Sequence, residues 1–131
     1  MAVLDTSIMG GDEQWDIRSY IIDICKIDYK EYLDDKSLLT RDIFEKHFDN
    51  IVFFIEERHS HIAYHVFGYF ILITGSHCPE FIRQRIIKLT DWKYESGKWS
   101  AKYVKDRKRH LRDLREKITN HKPGVVSYLK E

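Results

Sequence analysis

Apolar residues recur along this chain at steps of three and four, and the strict alternation of a half-buried strand is almost absent. Ile17, Tyr20, Ile21, Ile24 and Cys25 share one face of a helix predicted over 12–26, after a Gly10-Gly11 turn. Asp12 is its expected cap, and Glu13 and Asp16 complement the positive end of the helix dipole. The polar interval DYKEYLDDKS reads as a connection in which a short turn fits. Thr40 or Ser37 then opens a second helix over 40–57, with Phe44, His47, Phe48, Ile51, Val52 and Ile55 on one face.

The segment from His61 to Thr74 is apolar on nearly every side, which predicts a helix enclosed by others at the centre of the core. Gly75 ends it, and Pro79 at a first helical position starts a fourth helix with a stripe of Ile82, Ile86 and Leu89. KYESGKW, turned by Gly97, reads as a loop, because two strands this short are marginal alone. Ser100 is the expected cap of a last helix running to about His121, with Val104, Leu111, Leu114 and Ile118 inward and Pro123-Gly124 beyond its end. The expectation is an all-α single domain over 1–131: a bundle of about five helices around a central apolar helix, with a short tail at 122–131.

Composition sharpens this picture in two ways. A chain of 131 residues, 43% of them hydrophobic, can bury one core and is too short for two ordinary domains. The run from Ile62 to Ile73 is interrupted by His65 and Gly68 and falls short of the roughly 20 residues of a membrane span; no basic region followed by an apolar leader is present. A cytoplasmic chain with no membrane contact is expected. Cys25 and Cys78, far apart and beside apolar residues, are expected as buried free thiols.

The net charge of +1 conceals a segregation. Residues 1–58 hold 7 Lys/Arg against 14 Asp/Glu, whereas residues 98–131 hold 11 against 4. Such a split fits either a charged partner or two halves that face each other across one fold. In the last helix, Lys102, Lys105, Lys108, Arg109, Arg112 and Arg115 spread around more than half of the circumference, leaving a narrow apolar seam. That is the pattern of a surface helix, with Asp106, Asp113 and Glu116 as partners within it or phosphates as partners outside it.

The stretch EERHSHIAYHVFGY raises the question of metal. On one continuous helix Glu57, His61 and His65 would follow at four-residue steps and reach a common cation. The pair lacks the glutamate after the first histidine that a metalloprotease helix uses, and no second ligand cluster stands out; within an apolar run, a hydrogen-bonded core histidine is the commoner role for His65. No nucleophile elbow, phosphate loop or dinucleotide fingerprint occurs, so the sequence designates no catalytic residue and no cofactor.

The Gly-Gly-Asp turn before WDI, the apolar helix ending ILITGSHCP and the terminal DRKRHLRDLREKI…HKPG together resemble small helical bacterial or phage proteins of uncharacterised activity. The resemblance covers about a third of the chain and implies a helical single domain. In size, acidity of one half and lack of catalytic motifs, the chain is also similar to the small helical immunity proteins that neutralise secreted nuclease toxins. These features lead to the expectation of a non-enzymatic protein-binding module, an immunity or inhibitor protein against a basic toxin or enzyme. Its expected contact surface is an acidic ridge of Asp28, Glu31, Asp34, Asp35, Asp42, Glu45 and Asp49, with Tyr29 and Tyr32 as aromatic anchors. The alternative is a nucleic-acid-associated regulator using Lys105, Lys108, Arg109 and Arg112 of the last helix; a metal-binding protein using Glu57, His61 and His65 comes third. The oligomeric state is left open.

Overall fold

Seven α-helices and two short 3₁₀ turns appear in the computed structural model, which describes residues 5–130. They are α1 (Asp12–Ile24), α2 (Tyr29–Asp34), α3 (Arg41–Lys46), α4 (Phe48–Arg58), α5 (His61–Thr74), α6 (Glu80–Lys88) and α7 (Ala101–Asn120), with 3₁₀ turns at Lys36–Leu38 and Trp92–Tyr94. No strand occurs among the described residues, and none of their helices is long and apolar enough to cross a membrane. The all-α single domain is as expected, and so is the place of α5, which packs against α1, α4, α6 and α7. Ala63, Val66, Phe67, Phe70, Ile71 and Leu72 of α5 are all fully buried, each large side chain stabilising the fold by about 1.5–3 kcal/mol. Gly68 lets the neighbours approach: a Cβ there would stand 3.2 Å from Leu114 and 3.3 Å from Ile86.

Seven helices replace the expected five, for reasons that lie in local backbone. The first helix stops at Ile24 rather than 26, because Lys26 turns left-handed (φ 63°) and the chain closes a Schellman motif. There Lys26 N–H donates to Asp23 C=O, and Ile27 N–H to Ile22 C=O. Its N-cap is Gly11, with Asp12 inside the first turn. Asp28 then accepts from Glu31 N–H and nucleates α2 where a connection was expected. Thr40 caps the next helix through Ile43 N–H, but that helix breaks at His47 into α3 and α4. The break lets Phe44 and Phe48 both reach α5: Phe44 sits 6.2 Å from the rings of Phe67 and Phe70, and Phe48 5.2 Å from Phe67.

The C-terminal segment is tied to the end of α5 by two backbone hydrogen bonds. Gly75 adopts φ 71° at the end of α5, the left-handed C-cap that glycine takes without steric cost. Its carbonyl accepts from Gly124 N–H, and Leu72 C=O accepts from Ser127 N–H. The short tail expected at 122–131 is, over its described residues, a strap laid along the end of α5, with Leu129 packed on the core. Cys25 is buried and Cys78 half-buried; both thiols are free, and burial raises each to about 11.

Candidate functional site

The histidine stretch resolves into two helices instead of one. α4 ends at Arg58, His59 turns left-handed (φ 50°), and Ser60 caps α5 through Ala63 N–H while its own hydroxyl donates to Glu13. Glu57 therefore lies on a different helix from His61 and His65, and the shared face that one continuous helix would give the three does not exist. His61 Nε2–H donates to Glu95, whereas His65 Nε2–H donates to the Leu89 carbonyl at 2.8 Å. Burial pushes the His65 imidazole down to about 3, so it is neutral. Among the described residues no three His, Cys, Asp or Glu side chains are grouped to hold a metal ion.

Glu95 is the hub that sequence reasoning missed. It lies in the loop before α7 and is 3% exposed, and Arg107 of α7, 1% exposed, meets it through Nε–Oε1 at 2.7 Å and Nη2–Oε2 at 2.8 Å. Trp99 Nε1 donates to Oε1 at 2.8 Å, and His61 Nε2 to Oε2 at 3.1 Å. Burial alone would raise this carboxyl; hydrogen bonds from Arg107 and His61 and the Arg107 charge hold it well below the usual carboxylate range. Arg107 Nη1 also donates to the carbonyls of Thr6 and Ser7, tying the N-terminal segment to α7. The inner seam of α7 thus carries Arg107, His110 and Asp113 beside Leu111, Leu114 and Ile118, not apolar residues alone.

Above His61 opens a cleft of about 330 Å³ between the start of α5, the end of α6 and the Trp92–Tyr94 turn. Arg85 and Lys88 line it from α6, and His61, Tyr64, Tyr94 and Glu56 complete its walls.

The acidic ridge is present only in part. Glu31, Asp34, Asp42 and Asp49 are exposed. Asp28 and Asp35 are occupied as caps of α2 and the following 3₁₀ turn. Glu45 accepts from Arg41 and from both the backbone and the ring of His77. Burial opposes that arrangement, yet these bonds and the Arg41 charge lower the Glu45 carboxyl to about 2. The aromatic anchors face inward. Tyr32, 1% exposed, belongs to the core, and Tyr29 is half-buried with its hydroxyl accepting from Arg18 Nε.

The exposed aromatics stand elsewhere. Phe53 of α4 and Phe81 of α6 are 68% and 64% exposed and flank a groove of about 330 Å³ also lined by Phe48, Val52, Asp49 and Glu56. On α4, Asp49 lies one turn before Phe53, and Glu56 and Glu57 one turn after it. The signal was legible: Phe53 falls off the stripe of Phe48, Ile51, Val52 and Ile55, an aromatic on the polar side of its helix.

On the opposite charge, Lys105, Lys108, Arg109 and Arg112 are all exposed on α7. Lys108 and Arg112, with Arg115, line a groove of about 250 Å³ against Trp92, and the Lys108 ammonium lies 5.1 Å from the Trp92 ring. Lys105 and Arg109 are not part of it, and Arg109 pairs with Asp106. Among the described residues no ion pair joins α7 to the acidic segment 5–58. No protein-family model, curated protein or solved structure matches this chain.

Proposed function

We propose that the chain is a non-enzymatic protein-binding module whose docking surface is the acid-rimmed groove between Phe53 and Phe81. The observation that carries this reading is the pairing of two solvent-exposed phenylalanine rings, at 68% and 64%, with carboxylates that enter no ion pair among the described residues. These carboxylates are Asp49 and Glu56, which line the groove. Desolvated aromatics supply most of the affinity of an interface, and rim charges steer the encounter. The occupant is a basic protein segment with apolar side chains, and inhibition of a basic toxin or enzyme is the form of this reading that the acidic half favours.

The test is affinity capture with the wild-type chain beside Phe53→Ser/Phe81→Ser, followed by binding kinetics on the captured protein. A basic partner is expected whose dissociation speeds in the double variant and whose association slows in Asp49→Asn/Glu56→Gln. A partner held equally by the double variant overturns the reading.

A second reading rests on the Trp92 groove, where an aromatic face lies among Lys108, Arg112 and Arg115. Bases stack on such rings while cations meet phosphates. Titration with single-stranded oligonucleotides tests it: Lys108→Ala and Arg112→Ala are each expected to flatten the plot of log affinity against log salt by about one unit. Unchanged slopes overturn it.

A further inference from the structure

We propose that the cleft above His61 is a binding site for a small organic molecule carrying a phosphate-type oxyanion. Arg85 and Lys88, three residues apart on α6, line the same cleft, and neither is ion-paired among the described residues although Glu56 lines it too. Two cations lining one concave site, neither held in an ion pair and together outnumbering its one carboxylate, create a field that a tetrahedral oxyanion neutralises, Arg as a planar fork and Lys as a point charge. Arg85 is held in place from below, its guanidinium 5.7 Å from the centre of the Tyr64 ring.

His61 makes the site more than a charged dent. Glu95 spends both oxygens on Arg107, Trp99 and His61, so it fixes the imidazole without adding an uncompensated negative charge beneath the cleft. With Nε2 committed to Glu95, Nδ1 is the ring nitrogen left to meet a ligand, accepting from a P–OH. Ser60 and His61, the cap and first residue of the 14-residue helix α5, both line the cleft, which places the positive end of a helix dipole at it.

The volume of about 330 Å³ is at the lower end of small-molecule sites, which run from about 300 to 1,000 Å³. The Tyr94 ring lies 6.2 Å from that of His61 at an angle of 22°, forming with Tyr64 an aromatic wall for a compact planar group. A phosphomonoester with such a group meets these demands. This site shares only Glu56 with the docking groove and is tested on the purified chain alone.

Inorganic phosphate and phenyl phosphate are titrated at constant ionic strength and followed by amide NMR and calorimetry. Saturable shifts at residues 59–64, 85–89 and 94 are expected, with phenyl phosphate binding more tightly than phosphate. Arg85→Gln and Lys88→Gln, exposed positions that leave the helical spectrum intact, are each expected to weaken binding about tenfold, and Lys105→Gln is expected to leave it unchanged. Absence of saturable shifts with both probes overturns the proposal. So do shifts that persist unaltered in Arg85→Gln/Lys88→Gln, shifts centred on Trp92 and Lys108, or binding of oligonucleotides without binding of either probe.

Discussion

Arg107 on α7 and Glu95 in the preceding loop meet through two parallel hydrogen bonds of 2.7 and 2.8 Å, with both side chains almost wholly removed from water. The pair joins three distant pieces of chain, because Arg107 also holds the carbonyls of Thr6 and Ser7 and Glu95 also holds His61. Arg107→Met leaves a buried carboxylate without its cation and is expected to lower the unfolding free energy by about 3–5 kcal/mol. Replacing both partners, Glu95→Leu with Arg107→Met, is expected to recover only part, since the Thr6 and Ser7 carbonyls lose their donor. Urea unfolding of the three chains measures both effects.

Acid should weaken this fold before its carboxylates titrate. His65 falls from 6.5 to about 3 on burial, so below pH 6.5 the unfolded chain binds a proton that the native chain does not. Stability therefore rises with pH across that window, by about 1.4 kcal/mol per pH unit for this group. His110, also lowered by burial, acts in the same direction. Glu45 and Glu95, held below their usual 4.5, add to the loss at lower pH. Urea melts from about pH 7 to about pH 5 should show the slope, and His65→Gln should reduce it.

Gly68 tests how closely the helices approach α5. A leucine there would meet Leu114 and Ile86, which a Cβ alone would already crowd at 3.2 and 3.3 Å. Gly68→Leu is expected to destabilise by about 1–3 kcal/mol despite leucine's better helix propensity. A variant as stable as the parent in thermal melts would show that α6 and α7 yield freely.

Lys26 offers the opposite sign. It occupies the left-handed position after α1 at φ 63°, where a side chain costs about 1–2 kcal/mol and glycine none. Lys26→Gly is expected to raise stability by up to about 1 kcal/mol, the remainder lost to the greater freedom of the unfolded chain. The midpoint of urea unfolding reports the gain.

What could be read from the sequence was periodicity over many residues. The stripe of Phe44, Phe48, Ile51 and Ile55, the all-apolar α5 and the Gly75 stop each follow from spacing and residue type. What escaped was decided by single backbone torsions or by tertiary partners. Nothing in the letters at His47 or His59 distinguishes a break from a continuing helix, yet the turn at His59 is what separates Glu57 from His61. Tyr32 looked like a surface anchor because its neighbours are acids, but at its point in α2 it faces the core. Arg107 was one cation among many in α7, and only the arrival of Glu95 from the loop singles it out.

The strap after α7 has no regular structure, and its amides would ordinarily exchange with solvent deuterium in an unfolded-like time. Ser127 N–H, however, is committed to Leu72 C=O, and Gly124 N–H to Gly75 C=O. Their exchange must wait for the strap to lift from α5, so these two amides act as clocks for that opening. Protection comparable to the amides of α5 would make the strap part of the same cooperative unit as the central helix; faster exchange would mark it as the first piece of the fold to let go.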